Sequence, residues 1–428
     1  MSSRETRLRT LIVEGGHSLT GSIKVSGNKN AALPLLAACL LTDQPCRLTN
    51  VPRIKDVSVM IELLRGLGAE VNEKVPGVLD ICCRSVTSDE PDPALVGRLR
   101  GSVLLCGPLL ARMGKVKLAS PGGDFPARRT ITTHLHALRE MGAYEEPGDT
   151  GVHILNAQDG LREASLYLEE ASVTGTETAL LAAASISRKT EIHHAACEPH
   201  VVELCEFLVR MGVEIEGSGT STICIKGNSS LGGATQQLRG DYIEAGSWAV
   251  AVAVTGGNVE ITGVRELDLE PIVSLLTRMN VNCSMDGERF IVKDSLPRAI
   301  RQVTTAPWPG FPSDMISLVS VLATQAQGRT LIHDWMYQLR LFALEQLSGM
   351  GARLFLCDPH RMIVDGPTKL KGRSLDTRDL RSGMALIASA LAADGVSKVG
   401  PLETVERGYA DLVERLVLLG AQVEVEDS

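Results

Sequence analysis

Aromatic side chains are scarce: three Trp, five Tyr and six Phe make up 3% of the 428 residues. Cores must therefore be built from Leu, Val, Ile and Ala, and 44% apolar residues supply enough of them for two or three domains. Positive charge is also short, with 43 Lys and Arg against 51 Asp and Glu and a formal charge of −8. That balance excludes a basic nucleic-acid face and would repel an anionic membrane surface. It still permits an anionic small substrate wherever Arg and Lys converge. Long apolar runs are missing too. The longest, at about residues 31–41, is interrupted by Pro34, whereas a bilayer span needs roughly 20 residues. Residues 1–10 are polar and charged, with no apolar signal core. The ten cysteines include no CxxC pair, and Cys39, Cys106, Cys205 and Cys224 stand singly in apolar stretches, as free, buried thiols do. The expectation is a reducing compartment, the cytoplasm, and no disulfide framework.

What the sequence has in abundance is repetition. An amphipathic helix ending in Met/Leu-Gly, then a short strand, occurs as LLRGLGAEV, ALREMGAY, FLVRMGVEI, LLTRMNVNC, LSGMGARL and LVLLGAQVEV. The glycine position falls at Gly68, Gly142, Gly212, Asn280, Gly351 and Gly420, so the period is about 70 residues. Gly or Asn there supplies the left-handed residue that ends a helix. Each repeat also carries a helix of small apolar residues, starting near Asn30, Ser102, Thr176, Gly246, Asp314 and Gly383. Helices apolar nearly all round belong in a domain centre. The pattern predicts an α/β fold of six units with helices inside and sheets outside, most naturally three units to a domain. An extended solenoid is the competing reading.

Four segments place charge or glycine beside these helices. SGNKNAALP (26–34) sets Lys29 and Asn30 at a helix entry, where anions are favoured. SPGGDFPARRT (120–130) puts Asp124 after paired glycines and before Arg128 and Arg129. A carboxyl group beside two guanidinium groups suits proton transfer next to a phosphate. In TAPWPGFPSDMIS (305–317), Ser313 or Asp314 has the ordinary role of capping a helix. Arg340, Arg378, Arg381 and Arg407 are the C-terminal candidates for binding phosphate or carboxylate. His193, His194, Cys197 and His200 cluster as metal ligands do, but their spacing matches no standard zinc pattern. No metal and no cofactor are expected.

Assembled in order, SGNKNAALP, NVPRIKDV, GPLLAR, EASVTGTETALLAA, DYIEAGSWAVA, PGFPSDM and VERGY resemble segments of the enolpyruvyl transferase family, over nearly the whole chain. The resemblance implies two inverse α/β barrel-like domains of three repeats each. One would be central (23–239), with a mobile catalytic loop at about 120–130. The other would be formed by the chain ends (1–22 and 240–428). It implies transfer of the enolpyruvyl group of phosphoenolpyruvate to a UDP-sugar, the 3-hydroxyl of UDP-N-acetylglucosamine, in peptidoglycan synthesis. The alternative is another nucleotide acceptor, such as UMP, in a secondary pathway. Lys29, Arg129 and Arg407 would hold phosphoenolpyruvate, with Arg128 as an alternative to Arg129. Asn30, Arg100, Thr132, Thr133, Ser172, Val173, Thr174, Asp314, Arg340 and Arg381 would line the substrate site. Asp314 would act as base, and Asp124 as proton donor on the loop that closes over the substrates. Three residues depart from the family pattern. Asp124 stands where most members have cysteine, Thr132 where aspartate is usual near the uracil, and Tyr242 where arginine is common. The carboxylate at 124 implies insensitivity to fosfomycin, whose epoxide is opened by a thiolate.

Overall fold

The computed structural model describes residues 8–122, 130–338 and 340–427. They divide into two compact units, one of residues up to Ser26 and from Gly240 onward, the other of residues between Gly27 and Arg239.

In the first unit, the helices Tyr242–Thr255, Ile316–Gln325 and Leu380–Ala392 pack against one another. Tyr242 through Ala253, Ile316 through Thr324 and Leu380 through Leu391 are buried without interruption. Helices with no polar stripe need cover on every side, and three four-stranded sheets provide it. Each sheet combines one parallel pair with antiparallel neighbours. Thr20–Lys24, for example, runs parallel to Asn258–Thr262, which is antiparallel to Arg289–Lys293. The first described strand, Arg9–Glu14, lies between Val396–Gly400 and Gln422–Asp427, with Leu11 opposite both Val399 and Val425. The N-terminal strands therefore complete sheets begun by late repeats, which is why the two chain ends share a unit.

The second unit uses the same parts. Its buried helices are Lys29–Ala38, Cys106–Met113 and Val173–Ala183. Two of its sheets have four strands and one has three. In the three-stranded sheet the regular pattern is reduced at its edge, where Lys117 donates its backbone N–H to the Asp89 carbonyl at 2.9 Å without a named strand forming. The strands alternate in burial, as Lys189–His193 does, so one face meets the helices and the other meets water.

The six-fold period is visible in the backbone. Gly68, Gly142, Gly212, Gly351 and Gly420 have φ between 87° and 103°, and Asn280, which replaces glycine in the fourth repeat, has φ 62°. Each ends an amphipathic helix and starts a strand: Glu70–Val75, Tyr144–Glu146, Glu214–Glu216, Asn282–Asp286, Arg353–Asp358 and Gln422–Asp427. The fold class read from the sequence, α/β with helices inside and sheets outside, is the one observed. All ten cysteines are free, and Cys39, Cys106 and Cys205 are buried. Cys224 is half-exposed instead, because its strand position faces away from the helices. Among the described residues no helix is long and apolar enough to cross a membrane.

Small residues let the central helices approach closely. A Cβ built on Gly107 would lie 2.9 Å from the Ala182 nitrogen and 3.1 Å from the Thr178 carbonyl oxygen, both backbone atoms of the neighbouring helix. Nothing flexible can yield there. Gly107→Ala is expected to lower stability by about 1–3 kcal/mol, the usual cost of overpacking. A urea midpoint equal to that of the unmodified protein would show that the two helices separate freely.

Candidate active site

Within each unit, the polar residues singled out from the sequence gather where central helices begin. In the second unit Lys29 is the first residue of its helix, and Asn28 caps that helix by accepting from the Asn30 N–H at 2.8 Å. The Lys29 ammonium lies 2.6 Å from Asp56 Oδ2, and both side chains are largely buried. Arg100 opens the short 3-10 segment Arg100–Leu105 and donates to the Thr130 carbonyl at 2.6 Å. Ser172 caps the Val173–Ala183 helix through the Gly175 N–H at 3.3 Å, with Val173 and Thr174 half-buried in its first turn. His134, on the helix Thr132–Glu140, joins this group through Nε2, 2.8 Å from Thr174 Oγ1. Burial, and then the charge of Arg100, pushes the His134 imidazole down to about 3, against a smaller opposing influence of the Ile131 carbonyl. The ring is therefore neutral at working pH.

In the first unit Asp314 sits on the 3-10 turn Ser313–Met315, ahead of the Ile316–Gln325 helix. It caps neither element, contrary to the ordinary role of an aspartate at a helix start. Its carboxylate is engaged elsewhere: Oδ2 accepts from Arg381 Nε at 3.0 Å and lies 2.9 Å from NH2, while Oδ1 accepts from Arg340 NH1 at 3.2 Å. Arg340 also donates to Ser313 Oγ at 2.8 Å and lies over the Tyr337 ring at 4.3 Å. Ser313 in turn donates to Asp334, a fully buried carboxylate that accepts from Thr305 as well. Burial opposes the charge on Arg381, but Asp314 foremost, with Tyr409 and Asp241, more than compensates, and the guanidinium is held firmly protonated. Arg407 lies half-buried in the turn after Leu402–Val405. Arg378 is exposed and pairs with Asp376 at 3.3 Å, apart from this cluster.

Comparison with known proteins bears on what these clusters do. The sequence profile of the EPSP synthase (3-phosphoshikimate 1-carboxyvinyltransferase) family matches residues 13–416. The chain belongs to this family of enolpyruvyl transferases. A UDP-N-acetylglucosamine 1-carboxyvinyltransferase of Bradyrhizobium diazoefficiens is 41% identical over 96% of this chain and 97% of its own length. The protein of the same name from Treponema denticola is 40% identical over 97% and 99%. Among solved structures, the enolpyruvyl transferase NikO from Streptomyces tendae superposes with a TM-score of 0.89 at 27% identity, covering 99% of this chain and all of that one. An EPSP synthase from Acinetobacter baumannii, at 19% identity and TM-score 0.74, shares the fold.

Two of the departures from the family pattern have a visible setting. Thr132 is exposed on the first turn of its helix, whereas Thr133 turns inward, its methyl 3.0 Å from where a Gly175 Cβ would stand. Tyr242 is buried and meets the Trp308 ring edge-on at 5.8 Å, so it fills core space and offers no exposed charge. Asp124, Arg128 and Arg129 lie outside the described residues. Of the four residues spaced like metal ligands, His194 points Nδ1 at the Leu168 carbonyl, 2.9 Å away, and His193 lies 3.7 Å from Glu191. Among the described residues no group of three or more His, Cys, Asp and Glu is placed to hold a metal. Asp56, His134, Asp334, Ser247 and Tyr409 are site neighbours that the sequence reading did not pick out. Asp241 and Asp379 were missed as well, although a signal for them existed: they cap the Tyr242 and Leu380 helices, so an aspartate recurs at the start of each central helix of the first unit.

The neutral His134 has a consequence for stability. The unfolded imidazole takes up a proton below about pH 6.5 and the folded one does not, so its contribution is complete above that pH and is lost as pH falls toward 3. The expected slope is up to about 1.4 kcal/mol per pH unit. Urea unfolding of His134→Gln between pH 5 and 7.5 is expected to show a flatter pH dependence than the unmodified protein. Parallel curves would mean that His134 titrates alike in both states.

Proposed function

We propose that this enzyme transfers the enolpyruvyl group of phosphoenolpyruvate to the 3-hydroxyl of UDP-N-acetylglucosamine, releasing phosphate, in the cytoplasm and as part of peptidoglycan synthesis. What supports the acceptor most directly is the near-full-length identity, up to 41%, with proteins named for that reaction. The chemistry asks for a base at the acceptor hydroxyl, an acid at C3 of phosphoenolpyruvate, and cations for its phosphate and carboxylate. In the first step the acceptor oxygen bonds to C2 while C3 gains a proton. In the second, the C2–O bond to phosphate breaks as C3 returns a proton. Asp314 is assigned as the base and Asp124 as the proton donor. Lys29, Arg129 and Arg407 are assigned to phosphoenolpyruvate. Asn30, Arg100, Thr132, Thr133, Ser172, Val173, Thr174, Arg340 and Arg381 are assigned to the substrate site.

Purified protein is expected to release phosphate from phosphoenolpyruvate only in the presence of an acceptor. Mass spectrometry should find the carboxyvinyl ether of UDP-N-acetylglucosamine. Turnover with UMP in place of the nucleotide sugar would move the enzyme to another pathway, and no release with any nucleotide or UDP-sugar would remove the reading altogether.

The assignment of Asp124 separates proton donation from nucleophilicity. A thiolate attacks electrophiles at neutral pH, and a carboxylate is far weaker. Fosfomycin is expected to leave the enzyme active, whereas Asp124→Cys keeps turnover and becomes inactivated with time. Asp124→Asn, which preserves shape and carries no acidic proton, is expected to lose most turnover, roughly 10²- to 10⁴-fold, the usual share of general acid catalysis. Full activity in Asp124→Asn would assign the proton to another group.

A further inference from the structure

Tyr409 is fully buried two residues beyond Arg407, and its hydroxyl lies in a chain of hydrogen bonds whose direction is fixed. Ser247, on the Tyr242–Thr255 helix, has one hydroxyl hydrogen and gives it to the Ile243 carbonyl at 2.6 Å. Ser247 Oγ is also 2.7 Å from Tyr409 Oη. With the serine hydrogen already used, the phenol must be the donor in that contact. The lone pairs of Tyr409 are thereby left to Arg381, whose NH1 is 3.5 Å from the phenol oxygen and whose guanidinium carbon is 5.9 Å from the ring centroid. The other two nitrogens of Arg381 hold Asp314. Meanwhile Asp379 anchors the Arg381 backbone by accepting its N–H at 3.0 Å.

We propose that Tyr409 is a positioning residue for the reaction: by donating to Ser247 it presents only acceptor character to Arg381, and so fixes the guanidinium that aligns Asp314. This rests on the assignment of Asp314 as the base at the acceptor hydroxyl. The chain links three consecutive repeats, since Ser247 belongs to the Tyr242 helix, Asp314 precedes the Ile316 helix and Arg381 begins the Leu380 helix. Burial raises the Tyr409 phenol above its ordinary range, with Arg381 opposing, so the hydroxyl keeps its hydrogen at neutral pH. A tyrosine present only to fill the core would need no such partner order, and phenylalanine would replace it at a cost in stability alone.

Two substitutions and two readouts distinguish these roles. Tyr409→Phe removes the acceptor facing Arg381. Ser247→Ala touches neither Arg381 nor Asp314, yet frees the phenol hydrogen to turn toward the guanidinium. Both are expected to lower kcat about 10- to 100-fold, the scale of misplacing a reacting group by a fraction of an ångström to an ångström. KM for phosphoenolpyruvate is expected to stay within about threefold, because the residues assigned to that substrate, Lys29, Arg129 and Arg407, are left in place. A crystal structure of Tyr409→Phe is expected to show Arg381 withdrawn from at least one of its two contacts with Asp314. Unchanged kcat with only a lower Tm, a change in KM alone, or an Arg381–Asp314 pair left in place would each overturn the proposal. If the unmodified enzyme turns over no acceptor, the proposed reaction fails, and the crystal structure still decides whether Tyr409 places Arg381.

Discussion

The constraint on which this structure depends is that its central helices have no polar side. Tyr242–Thr255 is buried from Tyr242 to Ala253 and Val173–Ala183 from Gly175 onward, on every face, so neither can rest against water except at its ends. Sheets have to cover them laterally, and the helix ends become the one place where such an element can present chemistry. The unsatisfied N–H groups of a helix start also carry partial positive charge. In both units, accordingly, the polar side chains of interest stand at those starts: Lys29 and Asn30, Arg100, Ser172 to Thr174, Asp314 and Arg381. A fold chosen for burial thus places six anion-favouring ends at its disposal, and short loops need only decorate them.

Electrostatics then sorts these ends into two kinds. In the second unit Lys29 pairs with Asp56, and the His134 imidazole, which meets Thr174, is kept neutral. In the first unit aspartates and arginines interlock. Two guanidinium groups share one carboxylate at Asp314, and Asp241 and Asp379 are consumed as caps. Buried charges tolerate such density only when every lone pair and proton has a partner. That requirement explains the ancillary hydroxyls of Ser313, Thr305, Ser247 and Tyr409, none of which needs to touch a substrate to be necessary.

How legible this was in the sequence follows the range of each interaction. The repeat could be read because its determinants are local: a glycine that must adopt positive φ, a helix ahead of it, a strand behind. Asn280 was recognisable as a substitute because it shares the left-handed region with glycine. The cationic candidates were legible as residue types near helix entries. Their partners were not, since the contact between Arg381 and Asp314 spans 67 residues and that between Tyr409 and Ser247 spans 162. Cys224 was misplaced for a similar reason: an apolar neighbourhood along the chain does not reveal which face of a strand looks outward. Read from its own segment, Ser313 or Asp314 is an ordinary helix cap, because the competing arginines are invisible there.

The repeat also explains why long-range partners fall where they do. If each central helix begins with the same geometry, residues at equivalent positions in successive repeats are brought to one end of the helix cluster, whatever their separation in sequence. Asp241, Asp314 and Asp379 with Arg381 are such a set, drawn from three repeats of one unit. Divergence among copies of such a position can then pair one carboxylate with arginines and leave two as caps. The asymmetry that matters is small. On the turn after Pro312 the Asp314 carboxylate meets Arg340 and Arg381, while Asp241 and Asp379, each directly before a regular helix, accept from the first N–H groups of theirs. A single local departure from the repeat, a 3-10 turn where its neighbours have a plain cap, thereby separates the aspartate that pairs with Arg340 and Arg381 from the two that cap helix starts.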